Sequence, residues 1–184
     1  MNVKGLAFKQ IKNQISIEFG KDRWDNFFQM FRKLNPKFRS TILMTTPIPI
    51  ESFMAFTESV IKEFYKGDEK IYWRMGLNAA KTSLNKTGPL NIYLQHKKKL
   101  EFFVANILPR IWNNYFDEGY EKFLLEGNIL HAHILDLPKY YVYLEYIVMG
   151  YIQKALEILG VPVNKTVKVK ATAKEIYYKF ILDL

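Results

Sequence analysis

The chain has no cysteine, only three histidines, and no long apolar run. Without cysteine there is no disulfide, no thiolate nucleophile and no thiolate metal site, which fits a reducing cytoplasm. The longest uninterrupted apolar run, Tyr140–Leu144, is far short of the roughly 20 residues of a membrane span. Met1–Phe19 is polar and charged at helical spacing and has no signal-peptide core. The expectation is a cytoplasmic protein without membrane insertion. The sequence also lacks GxSxG, a phosphate-binding GxxxxGK[ST] loop, GxGxxG and HExxH. Its carboxylates are scattered, and Asp117, Glu118, Glu121 and Glu126 lie beside turn signals, where solvation explains them. No residue set argues for catalysis, so a non-enzyme is expected. His131 and His133 point the same way on a strand and Glu126 and Asp136 are near enough to contribute, but His96 is the only other histidine and there is no HExxH or Cys cluster, so no metal site is expected.

Aromatic residues and positive charge are abundant. Of 184 residues, 49% are hydrophobic, including 12 Tyr, 14 Phe and 3 Trp. Rings in this number fill a core, or line one with room for an apolar ligand. The net charge of +9 favours anionic partners, namely nucleic acid, an acidic protein or anionic lipid.

Periodicity divides the chain into a helical part and a mixed part. Phe8, Ile11, Ile15 and Phe19 form one helical face, ended by Gly20. Asp22 is in position to cap a second helix carrying Trp24, Phe27, Phe28 and Phe31, stopped at Asn35-Pro36. Residues 37–50 read as a connector stiffened by Pro47 and Pro49. A third helix spans Glu51 to Tyr65, and Asp68 caps a fourth that runs to Leu84. In that helix Gly76, Ala79 and Ala80 leave a bare strip suited to close packing. Residues 90–116 read as one or two helices interrupted at Pro109, and His96-Lys97-Lys98-Lys99 reads as a solvated face or loop.

The last third reads as ββαββ. Tyr120–Glu126 and Ile129–Leu135 flank a Gly127-Asn128 turn, and a long helix follows Pro138 and ends at Gly160. Thr166–Ala171 and Glu175–Leu182 close the chain. Period two puts Leu130, Ala132 and Ile134 on an apolar face with Val167, Val169 and Ala171. His131, His133, Lys168, Lys170 and Lys179 then share the opposite face, which is either a wet surface or a dock for an acidic partner or a phosphate backbone. The expected fold is α+β. One domain, residues 1–184, has a mostly helical lobe (1–116) and a four-stranded antiparallel ββαββ lobe (117–184).

This order resembles the haem-nitric-oxide/oxygen-binding (H-NOX) domain. The resemblance rests on Val3-Lys4-Gly5 before a helix ending at Phe19-Gly20, on Ser59 to Leu84 with Gly67 and Trp73-Arg74-Met75-Gly76, and on the ββαββ ending. Leu108-Pro109-Arg110, Gly119 and Leu137-Pro138 look closer still to a haem-less H-NOX-like family of unknown function, abundant in myxobacteria. H-NOX proteins hold haem iron through a histidine on the helix before the sheet. The matching stretch here, Ile107–Trp112, has none. Their Tyr-x-Ser-x-Arg motif holds the haem propionates, and Leu135–Lys139 lacks all three residues. An uncompensated pair of propionates in an apolar cleft is costly, and iron would lack its usual axial ligand. No cofactor-binding residue is carried over and no cofactor is expected.

The resemblance implies a sensory or regulatory module that binds an apolar small molecule in a cleft between lobes, or acts through a protein partner. Trp73, Leu77, Phe103, Ile107, Leu108, Ile111 and Tyr146 are the expected walls. The alternative is a basic adaptor binding nucleic acid or an acidic protein through its sheet face. A third reading is a haem protein with an atypical ligand such as Tyr115 or His96.

Overall fold

The first helix opens where a strand ends against a loop. Asn2–Lys4 (β1) pairs antiparallel with Pro47–Pro49 (β2), placing Val3 opposite Ile48. Proline cannot donate to a ladder, so this ribbon stays short. Gly5–Phe19 (α1) follows without a capping side chain. Instead the Gly5 and Leu6 amides donate to the carbonyls of Thr46 and Met44, at 2.8 and 2.9 Å, which satisfies donors that a helix start leaves open. Only glycine fits at position 5, since a Cβ there would stand 2.0 Å from the Leu43 carbonyl oxygen.

The computed structural model describes residues 1–94 and 99–184. It divides into two compact units, Met1–Ile71 with Asn114–Asp117, and Tyr72–Asn113 with Glu118–Leu184. Of the basic run His96-Lys97-Lys98-Lys99, the first three residues lie outside the described residues, and Lys99 is exposed.

The first unit contains α1, Lys21–Leu34 (α2), a 3₁₀ turn at Pro36–Phe38 and Ile50–Tyr65 (α3). Gly20 ends α1 as expected, but Asp22 does not cap α2. Gly20 takes the cap position with φ +93°, a left-handed conformation that glycine tolerates, and Asp22 falls inside the first turn. The core is aromatic. Phe8 packs on Phe28 and Phe56 with ring centroids 5.2 and 5.1 Å away, and Trp24 stacks on Phe28 at 5.4 Å. Asp117 ties in the returning chain, accepting from the Asn2 amide at 2.6 Å and its side-chain amide at 2.8 Å.

The second unit contains Ile71–Ser83 (α4), which starts one residue earlier in the first. Leu100–Phe102 (α5), a π turn at Phe103–Ile107, and Leu108–Trp112 (α6) then run on from one another. Pro109 accounts for the widened turn. It has no amide to give Ala105, and the Leu108 amide reaches back five residues to Phe103. Four strands follow: Tyr120–Glu126 (β3), Ile129–Leu135 (β4), Val163–Ala171 (β5) and Glu175–Leu182 (β6), with Val142–Leu159 (α7) between β4 and β5. The sheet is antiparallel in the order β3-β4-β6-β5. α7 covers β5 and β6, while the π turn and α6 lie on β3. The expected bare strip is an α4–α7 crossing. A Cβ on Gly76 would stand 2.1 Å from the Ile147 carbonyl oxygen, and one on Gly150 would stand 2.2 Å from that of Trp73.

Candidate functional site

All seven candidate cleft residues belong to the second unit. Phe103, Ile107, Leu108 and Ile111 are buried on the π turn and α6. Trp73 and Leu77 on α4, and Tyr146 on α7, are half-buried. Trp73 joins the last of these directly, with its ring 6.3 Å from Tyr146 and 6.0 Å from Tyr178, and its indole N–H donates to Gln153 at 3.0 Å. The list thus resolves into an apolar α6 segment and an aromatic corner around Trp73.

Beside that corner lies a group that sequence reasoning missed. Glu145, in the first turn of α7, is fully buried. Its carboxylate accepts hydrogen bonds from the Tyr140 and Tyr178 hydroxyls and pairs with Lys168 Nζ at 2.6 Å. A buried carboxylate needs such donors. The Tyr178 phenol is in turn held above its ordinary pKa, by burial first and then by its bond to Glu145. The sequence signal was an acid in the apolar first turns of the helix, far from the only other one in it, Glu157.

Lys168 was expected on the opposite face, with His131 and His133. The register corrects this. β-bulges between Val163 and Lys165 and between Lys168 and Lys170 shift β5, so Lys168 stands opposite Tyr178 and turns toward α7. Val169, expected on the apolar face, is exposed at the second bulge.

The outer face keeps His131, His133, Lys170 and Lys179, joined by Tyr177. His133 stacks on Tyr177 with centroids 4.2 Å apart, and His131 Nδ1 lies 2.6 Å from the Tyr177 hydroxyl. Lys179 Nζ sits over the Tyr177 ring at 6.0 Å. Carboxylates offset the cations. Glu175 lies 2.9 Å from His133 and 2.9 Å from Lys170, and Glu126 lies 3.3 Å from His131 Nε2. Hydrogen bonds from Lys170 and then His133 hold the Glu175 carboxyl below its ordinary pKa. On this face Lys170 is paired with Glu175, the histidines are held by Tyr177, Glu175 and Glu126, and Lys179 rests over a ring.

Glu121 was read as solvated, and the structure buries it. β3 pairs it with Ile134, placing it on the apolar face of the sheet. Burial pushes its carboxyl well above the usual carboxylate range, which favours the protonated form there.

The haem implied by the resemblance does not fit these side chains. The segment Phe103–Trp112, buried along one side, offers carbon, an amide, a guanidinium and an indole N–H, and no iron ligand. His131 and His133 face the outer side of the sheet and are engaged there. Tyr115 lies in the first unit, where its hydroxyl accepts from Gln10 at 2.8 Å, and His96 is outside the described residues. Among the described residues no group of three or more His, Cys, Asp or Glu could hold a metal ion, and no helix is long and apolar enough to cross a membrane.

No family model and no curated protein matches the sequence. Solved structures do. An H-NOX protein from S. oneidensis in the Fe(II)NO ligation state aligns with TM-score 0.72 and 10% identity, over 98% of this chain and 99% of that one. The Shewanella oneidensis H-NOX domain in the Fe(II)CO state aligns at 0.72 and 11%, over 98% of each chain. A mutant of the Fe(II) unliganded H-NOX protein from K. algicida aligns at 0.69 and 12%, over 98% and 97%. Identity this low speaks for the fold alone, and across nearly its whole length this chain has the H-NOX-like α+β fold.

Proposed function

We propose that this chain is a haem-free, non-enzymatic sensory or regulatory module. It binds an apolar small molecule among the helices of the second unit and signals through a protein partner. One observation carries the reading. The chain keeps the H-NOX-like fold over 98% of its length, while the helix before the sheet presents Phe103, Ile107, Leu108 and Ile111 and no iron ligand. An apolar ligand there acts by favouring one arrangement of the helices over another. Its cysteine-free sequence suits a cytoplasmic setting.

The test is an absorbance spectrum of the purified protein, then mass spectrometry of a solvent extract. An apolar molecule that co-purifies supports the reading, and Leu108→Trp should abolish its uptake. A Soret band overturns the haem-free assignment. A clean spectrum with an empty extract removes the small molecule and leaves signalling through protein contacts.

A further inference from the structure

The first unit holds a cavity of about 290 Å³ that the reading above does not use. It is lined by Phe8, Lys9 and Lys12 of α1, Phe28 and Arg32 of α2, and Phe38 to Ile42. Its lining is divided by chemistry. Phe8 and Phe38 are buried and Phe28 is half-buried. Their centroids lie 5.2 Å (Phe8–Phe28), 5.9 Å (Phe8–Phe38) and 6.5 Å (Phe28–Phe38) apart, which makes a fixed aromatic floor. Lys9, Lys12, Arg32 and Arg39 form the rim with the hydroxyls of Ser40 and Thr41, and no carboxylate lines the cavity.

Helical spacing builds this division. Phe8 and Lys12 are four residues apart on α1, as are Phe28 and Arg32 on α2, so each helix contributes one ring and one cation to the same side. The 3₁₀ turn then delivers Phe38 and Arg39 together, and Arg39 Nη2 donates to the Lys33 carbonyl at 2.8 Å, which fixes its guanidinium. Lys9 and Arg32 have no protein partner among the described residues. Lys12 acts through space on Asp25, whose carboxylate is taken by Lys21 at 2.8 Å. Four like charges around one cavity, with no carboxylate in its lining, set up a positive potential that favours an anion there. Two of the four are arginines, whose planar fork matches phosphate oxygens in pairs. The three rings are tilted by 47° to 83° to one another, so the floor offers a planar group apolar ring contact rather than one flat stack.

We propose that this cavity is a binding site for an organic phosphate, a small molecule joining a di- or polyphosphate to a planar ring. The phosphates sit on the Lys9, Lys12, Arg32 and Arg39 rim, and the ring lies on the Phe8–Phe28–Phe38 floor. The volume is at the small end of ligand pockets, so it takes a mononucleotide-sized molecule.

Calorimetric titration of the full chain with ADP, inorganic pyrophosphate and adenosine tests both halves of the site. ADP should bind with a Kd below about 1 mM. Pyrophosphate should bind about tenfold more weakly and adenosine more weakly again. Raising salt should weaken ADP binding. Lys12→Gln with Arg32→Gln should lower ADP affinity at least about tenfold. The control Lys179→Gln, in the second unit, should leave it unchanged. Both cations of the double variant are exposed, and an unaltered thermal melt would show that it folds; Lys9→Gln is the substitute if it does not. The proposal is overturned by no ADP binding, by adenosine binding as tightly as ADP, by equal loss in the control, or by preference for a DNA oligonucleotide over ADP. None of these outcomes bears on what a solvent extract of the second unit contains.

Discussion

Glu145 supplies the sharpest test of how the second unit is held together. Its carboxylate is fully buried and takes three donors, the Tyr140 hydroxyl, the Tyr178 hydroxyl and Lys168 Nζ at 2.6 Å. Glu145→Gln keeps the shape and removes the charge. The amide accepts through one oxygen and turns an N–H₂ toward the second tyrosine, so one charge-assisted bond is lost, costing about 1.5–3 kcal/mol. Lys168 also loses its partner, but its side chain is 46% exposed and water replaces the carboxylate, so that share is about 0–1 kcal/mol. The expected loss is about 1.5–4 kcal/mol, a large part of the stability of a typical domain. Urea denaturation measures it. Tyr178→Phe should cost about 1.5–3 kcal/mol alone, and the double variant should cost clearly less than the sum, because both remove the same bond. A Glu145→Gln protein within about 0.5 kcal/mol of wild type, or strict additivity with Tyr178→Phe, would refute the network. Alkaline unfolding gives an independent check. The folded Tyr178 phenol keeps its proton at pH values where the unfolded one loses it, so this contribution is complete below pH 10 and declines above it. Tyr178→Phe should flatten that decline.

Further outcomes follow from single positions. Glu121 keeps its proton in the folded chain above pH 4.5, where the unfolded chain loses it, so its contribution is fullest at low pH and falls as pH rises toward the folded value. Glu121→Gln should therefore raise the denaturation midpoint at pH 8 and change it little at pH 4. Gly150→Ala puts a methyl 2.2 Å from the Trp73 carbonyl oxygen and should cost roughly 3 kcal/mol by thermal melt, while Gly127→Ala, with open space around it, should cost less. Adding haemin to the purified protein should leave it without a Soret band like that of an iron–histidine complex, because α6 provides no ligand.

Much of the architecture was legible because apolar periodicity follows burial. β3, β4 and β6 end where alternation and turn residues put them, since a slipped residue would turn every Ile, Leu and Phe of the strand to the wrong side. Gly76 could be read as a close crossing because a helix tolerates bare glycine only where something approaches it. The strand order β3-β4-β6-β5 could not be read, because hydrophobic alternation says which face a strand buries and not which strand lies beside it. The β1–β2 ribbon was hidden by two prolines, which signal a stiff connector whether or not the intervening Ile48 finds a partner. Glu121 was misread because a carboxylate near a turn is usually wet, and only the pairing with Ile134 shows which way it points.

Lys168 shows why the candidate site was the least legible part. Strict alternation places it beside Lys170 on an outer basic face. Two bulges move it to the inner face, where it meets the buried Glu145 carboxylate of α7. A bulge costs a local ladder bond and leaves no periodic trace in sequence. The long-range pairing makes up for that cost: the Lys168 ammonium reaches Glu145 while its stem runs past the Tyr146 ring, 5.9 Å from Nζ to the centroid. The same displacement takes one cation from the outer face and leaves Lys170 there, already joined to Glu175. It therefore weakens the case for a nucleic-acid face and strengthens the aromatic corner of Trp73, Tyr146 and Tyr178, with one substitution touching both. Lys168→Met should keep the stem, lose the ion pair and lower stability by about 1 kcal/mol or less, since the ammonium is half in water. A loss as large as that of Glu145→Gln would mean that Lys168, and not the two tyrosines, carries the buried charge.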